Sequence, residues 1–229
     1  MKKIFCVLFF AVIFSGCFDV YIYLIPLKDN SYIVSQRLSF GLDVLKAFNS
    51  LRSMDSTGQS TQKETLTPQQ MMDSIMMSAK NDTAYTMLPG YLGHSLRDSL
   101  FDTTAFFITD IHVKTADDVA AFIKAAQSDK SSPSDLSIGL AVSHPNGMTK
   151  FEFTAKKNEA PPENNSMLDI SKFETGGFHV GMLSENYQSP QAKTLLKPIP
   201  GGSEWFIPFK SLKNWKKVKT KKVEFIVAH

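Results

Sequence analysis

Two hydrophobic periods divide the chain. Phe18 to Leu27 is rich in Val, Ile and Tyr, the turn formers Lys28-Asp29-Asn30-Ser31 follow, and Tyr32-Ile33-Val34 resumes the apolar pattern, which predicts a β-hairpin. Leu42, Leu45, Phe48 and Leu51 then recur at helical spacing and predict a helix over Phe40 to Met54. Asp55 to Thr65 contains no apolar residue and reads as a surface loop. Thr67-Pro68-Gln69-Gln70 has a capping threonine, a proline at the first helical position and a glutamine that completes a capping box. Met71, Met72, Ile75, Met76 and Ala79 follow on one side of that second helix. Methionine fills core gaps and also lines pliant grooves; core packing is the reading preferred here.

Further along, Thr104 to Val113 predicts a strand, and Thr115-Ala116-Asp117-Asp118 caps a helix running to Gln127 with Val119, Phe122 and Ile123 on one face. Leu136 to Val142 and Met148 to Thr154 flank His144-Pro145-Asn146-Gly147, and Asn-Gly is a favoured hairpin pair. Lys156 to Ser166 reads as a polar excursion. Three more strands are expected around Gly177 to Leu183, Glu204 to Phe209 and Lys222 to Ala228. The expected fold class is therefore α+β: mainly antiparallel β-sheet, with about three helices in the N-terminal half. One domain over 17–229 is expected, with any sub-boundary near 130–135, where Ser131-Ser132-Pro133 ends the third helix.

The first residues have a different character. Lys2 and Lys3 precede an unbroken apolar run, Ile4 to Phe14, and then Ser15, Gly16 and Cys17. That is the layout of an export signal over residues 1–16. The run is well short of the ~20 residues that a spanning helix needs, and Ser15, Gly16 and Asp19 separate it from the next greasy stretch. Phe14-Ser15-Gly16-Cys17 resembles the lipobox of bacterial prolipoproteins, with Phe14 where leucine is commonest. The resemblance implies cleavage before Cys17, acylation of its thiol and new amino terminus, and attachment to a membrane of the cell envelope. Two or three acyl chains make a stable anchor, at ~0.8 kcal/mol per buried methylene. Phe18, rather than aspartate, follows Cys17, which by the enterobacterial sorting pattern implies the outer membrane. The competing reading is an ordinary secretory signal with an incidental cysteine.

Cysteine usage bears on the chemistry. Cys6 would leave with the leader and Cys17 would carry lipid, so no disulfide, cysteine nucleophile or Cys-based zinc site is expected, and the core must hold the fold. Without Lys2 and Lys3, 23 basic residues face 22 acidic ones. Near-neutrality and export both argue against nucleic acid as partner. The distribution is uneven, because Lys210 to Lys222 holds seven lysines and no acid, leaving 16 basic against 22 acidic residues elsewhere. Such a molecule has two electrostatic ends. The lysines, among them Lys213, Lys216, Lys217 and Lys219, are expected in an exposed loop or hairpin edge. There they either protect a β edge or meet an anionic envelope surface, with Trp215 at the interface.

The lipidated cysteine, hairpin, helical stretch and FFITDIHVKTADDVAAFI run resemble the order of elements in small bacterial lipoproteins of the mycobacterial LppM type, which implies an envelope accessory role and no particular reaction. The closing EWFIPFKSLKNWKKVKTKKVEFIVAH is similar to the final strands of jelly-roll carbohydrate-binding modules, and that resemblance makes Trp205, Trp215 and Tyr187 candidate sugar-stacking rings. Their alternative is core or edge packing. The histidines His94, His112, His144, His179 and His229 form no zincin spacing, and neither a nucleophile elbow nor a P-loop is present. Asp110 with His112, and His94 with Asp98, are carboxylate–histidine neighbours of a kind common by chance. No catalytic residue, metal site or cofactor is assigned. The leading expectation is a non-catalytic, lipid-anchored envelope lipoprotein that presents a binding or scaffolding domain to envelope protein or polymer. A surface carbohydrate-binding module and an unrecognised hydrolase are the alternatives.

Overall fold

The computed structural model describes residues 18–43, 66–80, 84–128, 136–157, 175–218 and 221–228. β1 (Phe18–Pro26) and β2 (Tyr32–Gly41) form an antiparallel hairpin. Its turn is set by Asp29, whose carboxylate accepts hydrogen bonds from the Ser31 backbone N–H at 3.1 Å and hydroxyl at 2.5 Å, while Asn30 takes the left-handed conformation, φ 65°. β3 (Tyr91–Phe101) and β4 (Thr104–Val113) form a second hairpin, and β4 pairs along the whole of β2. β7 (Gly177–Met182) joins the other edge of β1 in parallel, and β10 (Gly202–Pro208) and β9 (Leu196–Ile199) complete a seven-stranded sheet in the order β3-β4-β2-β1-β7-β10-β9. β1, the first strand of the fold, lies at its centre.

A second sheet has the order β5-β6-β11-β8, from β5 (Leu136–Ser143), β6 (Met148–Lys157), β8 (Tyr187–Gln188) and β11 (Lys222–Ala228). The β5–β6 turn passes through Asn146 and Gly147, both at positive φ. α1 (Pro68–Lys80) starts on a reciprocal capping box: the Thr67 N–H donates to Gln70 Oε1 at 2.8 Å and the Gln70 N–H to Thr67 Oγ1 at 3.2 Å. α2 (Ala116–Ser128) repeats the device with a shorter acid, the Thr115 N–H donating to Asp118 Oδ2 at 3.0 Å and the Asp118 N–H to Thr115 Oγ1 at 3.2 Å.

The core follows the strand period. Leu24, Val34, Ile111 and Val180 face inward from the large sheet, Phe151, Phe153, Val223 and Phe225 from the small one, and Val119, Phe122 and Ile123 of α2 join them. Full burial of each such side chain contributes about 1.5–3 kcal/mol. A satellite core under α1 holds Met71, Met72 and Met76 against Ala105 and Phe107, while Met77 is exposed.

The α+β expectation, with helices gathered in the N-terminal half, is overturned. The protein is mostly β, and its helical segments are spread along the chain, since 3-10 turns at Pro145–Gly147 and Phe209–Lys217 lie in the second half. Phe40 and Gly41 end β2, so the expected helix starts two residues late, at Leu42 and Asp43, and its residues 44–54 lie outside the described residues. Tyr91 to Phe101, for which no strand is expected, is an eleven-residue edge strand with little burial on either face to give it a period. Residues 1–17, and most of the expected loops at 55–65 and 156–166, also lie outside the described residues.

Candidate functional site

Alternation along β1 sends Val20, Ile22 and Leu24 to the core and Asp19, Tyr21 and Tyr23 to the opposite face of the large sheet. Strand register brings residues of three other strands to the same face: Ser35, Arg37 and Ser39 from β2; Gly177, His179 and Gly181 from β7; Glu204 and Phe206 from β10. Titratable groups from positions 19, 23, 179 and 204 converge there.

His179 is the hub. Its Nε2 lies 3.3 Å from Asp19 Oδ1 in a hydrogen bond, and its Nδ1 lies 3.1 Å from Glu204 Oε2, a close ionic approach without hydrogen-bond alignment. Tyr21 stacks on one side at 4.3 Å and 23°, and the Phe206 ring centroid lies 4.6 Å away at 36°. Glu204, buried, accepts a 2.6 Å hydrogen bond from the Tyr23 hydroxyl, and Asp19 Oδ1 also accepts one from the Gly177 N–H at 2.9 Å. Burial, then the hydrogen bond to Glu204 and its negative charge, raise the Tyr23 phenol far above its ordinary range, so it is a permanent donor. Burial and the charge of Asp19 raise Tyr21 in the same sense. Arg37 sits 4.9 Å over the Tyr23 ring.

Glycines make room for this cluster. A Cβ on Gly181 would lie 2.4 Å from Ser203 O and 3.0 Å from the Tyr23 ring; one on Gly177 would lie 2.5 Å from both Ile207 O and the Phe206 ring. The bare strand either side of His179 lets aromatic rings from both neighbours lean over it.

Each ring nitrogen of His179 faces a different carboxylate, Nε2 in a hydrogen bond and Nδ1 without one, and the phenol of Tyr23 is committed to Glu204. Among the described residues, the polar contacts of this histidine are with the carboxylates of Asp19 and Glu204. His179 joins β1, β7 and β10 as a polar clasp at the parallel seam of the sheet. Among the described residues, no group of three His, Cys, Asp or Glu is placed to hold a metal ion.

Candidate site residues from the sequence scatter. Trp205 is 5% exposed and lies in the core. Tyr187 is half-buried, tilted 5.5 Å from Phe225, with its hydroxyl bonded to Ser203. Trp215 packs against the core under Lys221, whose Nζ is 5.3 Å from its ring. The lysine-rich segment is no loop at its start: Phe209–Lys217 is 3-10 helical, with a kink at Asn214. Three residues per turn stack Phe209, Leu212 and Trp215 toward the core and leave Lys210, Lys213 and Lys216 in a second, exposed row. Lys217 belongs to the same segment, whereas Cys17 and Lys219 lie outside the described residues. Asp110 pairs with Arg97, His112 Nε2 meets Ser31 Oγ at 2.7 Å, and His94 Nδ1 meets Tyr91 OH at 2.6 Å, so neither sequence-adjacent carboxylate–histidine set is joined.

Sequence reasoning missed the Asp19–His179–Glu204–Tyr23 cluster. The legible trace was the D-x-Y-x-Y alternation of β1 and the glycines two residues either side of His179. Pairing β1 with a strand some 158 residues later has no local signature.

No family profile and no curated protein matches the chain. Among solved structures it is similar to the folded domain of the Mycobacterium tuberculosis LppM protein, determined by NMR, at 8% identity over 94% of this chain and 92% of that one, with a TM-score of 0.44. A likeness of that degree assigns no activity to this chain.

Proposed function

We propose that this chain is a lipid-anchored protein of the bacterial cell envelope whose β-rich domain binds or scaffolds at the membrane surface rather than catalysing a reaction. The observation that carries this reading is the absence of a spacer: Cys17, the lipobox cysteine, is followed at once by Phe18, the first residue of the central hairpin. An acyl group on Cys17 would hold the domain directly against the bilayer. The His179 cluster supports a non-catalytic role, because its hydrogen bonds join β1 to β7 and to β10. Phe18 after Cys17 favours the outer membrane by the enterobacterial pattern.

The test is Cys17→Ser in the full chain. Incorporation of a fatty-acid analogue should be abolished, and the domain should be released from membranes or its precursor should stall. Undiminished labelling would overturn the anchor. Activity lost on replacing His179 in an unbiased hydrolase screen would overturn the non-catalytic reading.

A further inference from the structure

The strand registers place many chain segments at one end of the large sheet. The start of β1 pairs with the end of β2, Phe18 with Phe40; the end of β2 meets the start of β4, Gly41 with Thr104; and Thr104 pairs with Phe101 at the end of β3. On the other side, Asp19 pairs with Gly177 and Gly177 with Pro208, after which the 3-10 segment begins, its Phe209 N–H donating to Gly176 O at 3.1 Å. The end of β6 is here too, since Lys157 Nζ donates to Leu212 O at 3.1 Å.

The β3–β4 hairpin tip and the lysine row are thus at the end of the sheet where β1 begins, and on opposite sides of it. In strand order, the tip is three positions from β1 and the end of β10 is two, which at ~4.8 Å per strand spacing puts them roughly 24 Å apart with Phe18 between. The tip is apolar in an unusual place: Phe101 is 76% and Leu100 44% exposed, beside a turn of Asp102 and Thr103. On the far side, exposed Lys210, Lys213 and Lys216 are joined by Lys156 and Lys157 from the end of β6. Asp43 and Asp102 also lie at this end, on the hairpin side, so the basic field is concentrated toward β10. The other end of the molecule is mixed in charge, with Asp29, Asp117 and Asp118 beside Lys28 and Lys114.

We infer that this end is a membrane-facing surface: Leu100 and Phe101 enter the lipid interface, Lys210, Lys213 and Lys216 meet anionic headgroups, and the Lys28–Asn30 turn faces away from the bilayer. The inference rests on the anchor at Cys17 proposed above. Three features agree on one occupant, a bilayer of anionic lipid. Phe18, the residue after Cys17, lies between the two contacts, the exposed apolar side chains sit at a hairpin tip, and the lysines complement headgroup charge. Aromatic and long cationic side chains are suited to that interface.

The full chain, processed and acylated in cells, is reconstituted into vesicles of phosphatidylcholine with or without phosphatidylglycerol. A fluorophore is attached at Phe101→Cys or, as control, at Lys28→Cys; both positions are exposed, and acylation blocks Cys17. The probe at 101 should be quenched by brominated acyl chains and shielded several-fold from aqueous iodide, while the probe at 28 should show the reverse. In an independent measurement, Lys210→Gln/Lys213→Gln/Lys216→Gln should remove the extra shielding that phosphatidylglycerol confers at 101. Equal iodide access at both positions on protein carrying the fatty-acid label would overturn the inference and leave the anchor standing. Absence of that label from Cys17 would overturn the anchor and the inference with it.

Discussion

Tyr23 and Glu204 lie 181 residues apart in the chain and share a buried 2.6 Å hydrogen bond. The bond ties β1 to β10 across the intervening β7, beside the His179 clasp. A neutral donor to a buried carboxylate contributes about 1.5–3 kcal/mol. Tyr23→Phe should lower stability by that amount in urea unfolding and leave the midpoint slope unchanged, because no strand is lost.

Alkaline titration follows from the same burial. Tyr21, Tyr23 and Tyr32 all have phenols raised by burial, and the nearby carboxylates raise Tyr21 and Tyr23 further. A raised folded value means stability that is full below the unfolded tyrosine value near 10 and is lost as pH rises beyond it. Of the six tyrosines, these three should ionise only together with unfolding, read as a late, cooperative step in phenolate absorbance that coincides with loss of circular dichroism.

Gly181→Ala tests the crowding around the clasp. The added methyl would meet Ser203 O at 2.4 Å, a backbone atom that cannot swing aside, and would press on the Tyr23 ring. Overpacking of this kind costs roughly 1–3 kcal/mol. Gly93→Ala, with open space at its Cβ position, is the matched control and should be far milder.

On the outer face of the small sheet, Glu152 and Glu224 stand directly opposite each other, and Lys150 and Lys222 bridge them at 3.0 Å (Lys150–Glu224), 2.7 Å (Lys222–Glu152) and 3.2 Å (Lys222–Glu224). Burial pushes the Glu224 carboxyl up, but hydrogen bonds and charge from the two lysines outweigh it and hold it below the ordinary range. A depressed carboxylate stabilises above its unfolded value near 4.5 and ceases to do so as pH falls through the folded one. Lys150→Met should therefore narrow the acid side of the stability profile, with thermal unfolding temperatures converging on those of the parent only at the lowest pH. The like charges left facing each other should make the variant more salt-responsive than the parent.

Leu212 is fully buried beneath the 3-10 segment. Leu212→Ala should cost about 2–5 kcal/mol, and hydrogen exchange should show the loss concentrated over Phe209–Lys217, the segment that carries the lysine row.

Much of the fold was legible where one stretch of sequence decides its own structure. Both capping boxes, at Thr67/Gln70 and Thr115/Asp118, form between residues three apart, and β4 alternates strongly because α1, α2 and the core cover one face. Legibility fails where pairing partners are remote or burial is slight. β3 is covered only where Leu96 packs on the satellite core and Tyr91 on the main one, so its eleven residues carry little period. The row of lysines was read as an exposed connection because a three-residue repeat matches neither strand nor α-helix, yet Phe209, Leu212 and Trp215 keep that repeat faithfully. As for the candidate site, Asp19, His179 and Glu204 become neighbours only through the parallel β1–β7 seam, which no short-range signal announces.

That seam also sets an order of assembly. β1 is the first of the described strands and central in the sheet, yet its second partner begins at Gly177. Closing so long a loop is entropically slow, and such non-local pairing is associated with slow folding. During synthesis the β1–β2 and β3–β4 hairpins can form while one edge of β1, with its Val, Ile and Leu side chains, waits unpaired. An open apolar edge of this kind recruits other strands. A chain held at Cys17 from the moment of its processing would spend that waiting time dispersed in two dimensions and oriented alike, with its vulnerable edge beside lipid rather than beside another nascent copy.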